Sequence, residues 1–98
     1  MAKKHFFLKL IPCRPTFSQD MTEEERSIMI EHIAYHKKYM EKGVMLVFGP
    51  VLDPKGTYGV GIAAVNTEEQ LQEIIKNDPA AKINTYEYYP MMAVTPDK

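Results

Sequence analysis

Residues 22–48, TEEERSIMIEHIAYHKKYMEKGVMLVF, hold a complete helix, its stop signal and the strand that follows. Thr22 can cap the helix and Glu25, three residues on, completes a capping box, with Glu23 and Glu24 at the positive end of the dipole. At about 100° per residue, Ile28, Met29, Ile33, Tyr39 and Met40 fall on one side. Glu23, Arg26, Ser27, Glu31, Lys37, Lys38, Glu41 and Lys42 fall on the other. The pattern stops at Gly43, the residue suited to a left-handed C-terminal position. Residues 44–48 are an apolar run, long enough for a buried strand and too short for another helix.

Outward from that stretch the chain alternates. Residues 6–11 read as a first strand, closed by Pro12, and residues 12–20 as a loop interrupted by two prolines. Asp53-Pro54-Lys55-Gly56 is a turn, so residues 58–65 return as the second arm of a hairpin. Thr67 and Gln70 form a second capping box for a helix with Leu71, Ile74 and Ile75 on its buried side, ended by Asn77-Asp78-Pro79. Residues 83–89 are the last strand, with an irregular extension through Val94. The order βαββαβ predicts an α+β domain of ferredoxin-like fold, an antiparallel four-stranded sheet with both helices on one face. The open face is expected to expose Tyr58, Tyr86, Tyr88, Tyr89 and nearby methionines, and a second copy packed there is the simplest cover.

Length allows one domain, spanning residues 1–98. Twelve basic against thirteen acidic residues give no field to attract nucleic acid or an anionic membrane. No run approaches the roughly 20 apolar residues of a membrane span, and Lys9 interrupts the N-terminal stretch too early for a signal peptide. Cys13, the single cysteine, excludes an intrachain disulfide. A cytoplasmic location is expected.

Two histidines, His32 and His36, lie inside the apolar sector of the first helix, one turn apart. Three readings are open. Each imidazole can be a hydrogen-bonded core residue. The i, i+4 spacing can serve a metal, although the glutamate of the zinc-protease pattern is replaced by Ile33 and no third ligand is evident. Or a histidine at a pocket edge, oriented by a carboxylate, can move protons. Asp78 is the carboxylate of interest, because the second helix packs beside the first, although Asp-Pro after a helix is also ordinary turn chemistry. Arg14 in the first loop could meet an anionic substrate. Gly56, Gly59 and Gly61 are no phosphate-binding set, since they lie in a hairpin and strand.

The run Glu31-His32-Ile33-Ala34-Tyr35, then Gly43, Gly49-Pro50, Asn77-Asp78-Pro79 and Tyr86, resembles the YciI-like (YCII-related) proteins over nearly the whole chain. The resemblance implies a protomer that dimerises as an α/β barrel, as in muconolactone isomerase. It also implies an active-site pair at His32 and Asp78, with no counterpart for His36. One similar protein is a dehydrochlorinase acting on a chlorinated hydroxyquinol. An arginine often found just before the histidine is Met29 here, and the aromatic residue common after Asp-Pro is Ala80, so that reaction is not carried over. The expectation is a small-molecule enzyme of lyase or isomerase type, without cofactor or metal. The alternative is a non-catalytic ligand-binding or accessory protein.

Overall fold

The computed structural model describes residues 3–96. Strand β1 (Lys4–Ile11) leads through a short helix α1 (Phe17–Asp20) into the long helix α2 (Glu23–Glu41). Strands β2 (Met45–Val51) and β3 (Tyr58–Val65) form the hairpin, and helix α3 (Glu68–Lys76) and a 3-10 helix (Pro79–Lys82) precede β4 (Thr85–Met91). The sheet is antiparallel throughout, in the order β2-β3-β1-β4, so the fold is ferredoxin-like.

Local chemistry sets the ends of α2. Thr22 accepts from the Glu25 amide and Glu25 accepts from the Thr22 amide, which completes the capping box. At the other end Gly43 takes φ +76°, its amide bonds to Met40 and the Val44 amide to Tyr39. This pair of bonds is a Schellman closure, which satisfies the last carbonyls and turns the chain into β2.

The core occupies one end of the sheet. Phe6, Leu8, Met45, Ala63 and Val65 meet Leu71 and Ile74 of α3, with Tyr35 and Tyr39 of α2 packed against them. Toward the other end the inward positions of β3 are Gly59 and Gly61, opposite Leu10 and Leu8. With no side chains there, the space between this part of the sheet and α2 is left as a cavity.

Several expectations are corrected. The loop at residues 12–20 contains α1, because Phe17 finds a buried site while Thr16 and Asp20 bond around the turn. The last strand starts at Thr85, not residue 83, because the Asp78 side chain accepts from the Ala80 amide and winds residues 79–82 into a 3-10 turn. In α3, Thr67 caps as expected, but Gln70 reaches back to the Asn66 amide rather than closing a box on Thr67. Tyr86 and Tyr88 pair with the inward residues Leu10 and Leu8, so they face the helices, while Tyr58 and Tyr89 remain on the open face.

Strand β2 is an edge strand, with Val47 55% exposed, rather than a buried one. The edge is where a strand tolerates Pro50. A register shift between Met45 and Val47 inserts one residue. Such a bulge exchanges the two faces of everything beyond it. Val47 therefore pairs with outward Ile62, and Phe48 with inward Gly61, under the helices. Among the described residues no helix is long and apolar enough to cross a membrane.

Candidate functional site

The cavity measures about 500 Å³. Met29, His32, Ile33 and His36 of α2 form its roof, and Leu8, Leu10, Gly59 and Gly61 its floor. Phe48 closes the side toward β2, and Phe17, Ser18 and Met21 cover it from the α1 segment. Both imidazoles pack on Phe48, with ring centroids 6.3 Å away for His32 and 5.5 Å for His36.

Asp78 lies behind the imidazoles with its side chain sealed from solvent. His32 Nδ1 donates to it at 2.9 Å, and His36 Nε2 donates at 2.7 Å. The Tyr86 hydroxyl donates to the same oxygen that His36 reaches. The Ala80 amide donates to the other, at 2.9 Å. Three side chains and one amide thus serve one carboxylate. Burial alone would raise the Asp78 pKa, but the hydrogen bonds from His32, His36 and Tyr86 outweigh it and hold the group well below the usual carboxylate range. Burial, and then the adjacent Asp78 charge, push the Tyr86 phenol upward, so it stays a donor at neutral pH.

The ring protons follow from these bonds. An ionised carboxylate only accepts, so His32 carries a hydrogen on Nδ1, and in the neutral ring the lone pair is then on Nε2. His36 carries its hydrogen on Nε2. Its Nδ1 is buried with no partner among the described residues, which suits a lone pair far better than an N–H.

The sequence did not supply a third metal ligand; the fold supplies Asp78. His32, His36 and Asp78 bring ligand atoms within 4.8 Å of one another, a set that could hold a divalent ion. A metal on His36 Nε2 would, however, force a hydrogen onto the orphaned Nδ1, where a metal-bound imidazole needs an acceptor. The hydrogen-bonded arrangement leaves no donor stranded, and it is the one the residues fit.

His32 and Asp78 are thus brought together beside the cavity. Arg14 is not. Its guanidinium grips Glu25 with two bonds of 2.8 and 2.9 Å and Asp20 through Nε at 2.8 Å, outside the cavity wall. Arg14 holds the Glu25 carboxyl down at about 2, and the cluster ties the α1 segment to the start of α2. The substrate contact expected of Arg14 would require those bonds to break. Sequence reasoning also missed His36 and Tyr86 as partners of Asp78, and Asn84, which lines the cavity while accepting from the Cys13 amide at 3.0 Å. The signal available for His36 was its place in the apolar sector, one turn from His32.

Residues 6–95 match the family model described as the YCII-related domain. No curated protein matches the sequence.

Proposed function

The chain belongs to the YCII-related family, and on that premise we propose that it is a small-molecule enzyme transferring protons without a cofactor, through His32 and Asp78. The observation that carries this reading is the position of one imidazole between two environments. His32 Nδ1 is fixed on a buried carboxylate, while its ring forms part of the cavity roof with a side chain 13% exposed. As general base, Nε2 takes a proton from an acidic C–H, and the electron pair of that bond passes into the substrate. Asp78 stabilises the imidazolium so formed. Return of the proton at another carbon gives an isomerase, and delivery to a leaving group gives a lyase.

The direct test is carbon-acid exchange. In D₂O the protein should accelerate loss of the α-proton NMR signal of cyclic ketones such as 2-tetralone. Catalysed exchange for no member of a ketone and lactone panel, with the same compounds still binding, would favour a binding module.

The partner reading is a homodimer through the open sheet face. Phe7, Val60, Ile62, Val47 and Tyr89 share that face, and its charged residues Lys9 and Glu87 sit opposite one another on neighbouring strands. A second copy is the occupant that such a surface suits, because the net charge of −1 gives little repulsion between copies. Light scattering should give twice the protomer mass for the native chain, and Ile62→Glu should return it to a monomer. A native chain that is monomeric at tens of micromolar would remove this reading.

A further inference from the structure

Proton transfer at His32 requires a base and its carboxylate, but says nothing about the rest of the cavity. The wall carries a second property. Among the described residues lining it there is no Asp, Glu, Lys or Arg. Leu8, Leu10, Phe17, Met29 and Phe48 are among its many apolar lining residues, and Ser18, Thr57 and Asn84 add uncharged polar groups.

Two charged groups close to the wall are already engaged. Arg14 belongs to the loop that covers the cavity, but it is bonded to Asp20 and Glu25 and contributes nothing to the wall. Asp78 stands behind His32, saturated by His32, His36, Tyr86 and the Ala80 amide. A cation in the cavity would therefore find no free carboxylate. An anion would find the Ser18 and Thr57 hydroxyls, the Asn84 amide and the His32 ring, but no positive charge beyond that of a protonated His32, which Asp78 already compensates. A charged group entering such a space gives up water without gaining an opposite charge. The volume, about 500 Å³, lies in the ordinary range for small-molecule sites.

We propose that the ligand of this cavity is an uncharged, largely hydrocarbon molecule that presents one weakly acidic hydrogen to His32 Nε2. This substrate class rests on the proton-transfer reading for the role of that hydrogen, and on the wall alone for the absence of charge. The chemistry it describes is that of an enolisable ketone or a hydroxylated ring system, bound in its neutral form.

Three probes of one shape test it: 2-naphthol, 2-naphthoate and 2-naphthylmethylammonium, titrated at pH 7 with amide shifts recorded. The neutral probe should bind at least about tenfold more tightly than either ion, a gap of about 1.4 kcal/mol. It should also move the signals of Phe48, Gly59 and Gly61. Equal or tighter binding of the carboxylate, shifts confined to another region, or no binding of 2-naphthol at millimolar concentration would each overturn the proposal. Ile33→Lys is a second arm. Ile33 lines the cavity yet is 44% exposed, so a lysine there is tolerated by the fold while bringing a cation to the wall. It should shift the preference toward 2-naphthoate by about tenfold, and an unchanged ratio would count against the proposal. Because the readout is binding, the two readings fail separately. A neutral preference without ketone exchange removes proton transfer and keeps the ligand class; exchange confined to carboxylate-bearing ketones does the reverse.

Discussion

Replacing His32 by asparagine should reduce ketone α-proton exchange to the uncatalysed rate, a loss on the order of 10²–10⁴-fold. The amide nitrogen of asparagine falls close to the place of imidazole Nδ1. It can keep the hydrogen bond to Asp78 that His32 makes at 2.9 Å while removing the Nε2 lone pair. Folding is thereby largely separated from chemistry, which an alanine at this position would not achieve. Asp78→Asn is the complementary variant. It leaves the base in place but withdraws the charge that fixes the ring hydrogen on Nδ1 and stabilises the imidazolium, and a wrong tautomer alone costs about 10⁴ in comparable triads. Exchange followed by the decay of the substrate signal in D₂O measures both. Native rates in the His32→Asn variant would remove His32 from the chemistry. Native rates in the Asp78→Asn variant would reduce Asp78 to the cap of its 3-10 turn.

The second large effect concerns His36 and is one of stability. The residue is 2% exposed, packs on Phe48 and gives its only hydrogen bond donor to a buried carboxylate. Truncation to alanine opens a void and withdraws one donor from that charge, together on the order of 3 kcal/mol or more. Glutamine carries an amide nitrogen near the position of imidazole Nε2, so His36→Gln should recover a clear part of the loss. Urea midpoints at pH 7 provide the comparison, and equal destabilisation by the two substitutions would mean that packing alone matters. The pH dependence has a definite sign. Because the folded-state pKa of Asp78 is depressed, its contribution is fully present above the unfolded value of about 3.9 and is lost as pH falls through the folded value. Stability should therefore fall steeply in acid below about pH 4, and Asp78→Asn should flatten that part of the profile while lowering the plateau above it.

The readable part of this chain was local. The ends of α2 are written within four residues of each terminus, and the structure reproduces the capping box at Thr22 and the stop at Gly43 because neither depends on distant neighbours. His32 could be singled out because a polar ring on an apolar stripe violates the helix's own pattern. Asp78 was harder, since its turn chemistry explains it fully at the level of sequence, and the structure shows the cap and the contact with His32 together. What could not be read was anything set by strand register. Whether Tyr86 faced the helices or the open side depended on its pairing with Leu10, and the aim of Phe48 depended on one inserted residue in β2. Arg14 illustrates a different gap. A loop arginine has no periodicity to betray its partners, and its carboxylates stand six and eleven residues further along the chain.

The bare floor at Gly59 and Gly61 has a consequence for which substitutions the cavity tolerates. A first side-chain atom at either position would already come within 3.3 Å of Leu10 or Met45. The groups proposed to move protons hang instead from α2 and from the turn before β4. The floor and the proposed chemistry thus belong to different elements, although α2 supplies both a reactive group and the roof. A methyl group added at either glycine is therefore expected to press on Leu10 or Met45 and take room from a ligand, while leaving the contact between His32 and Asp78 in place.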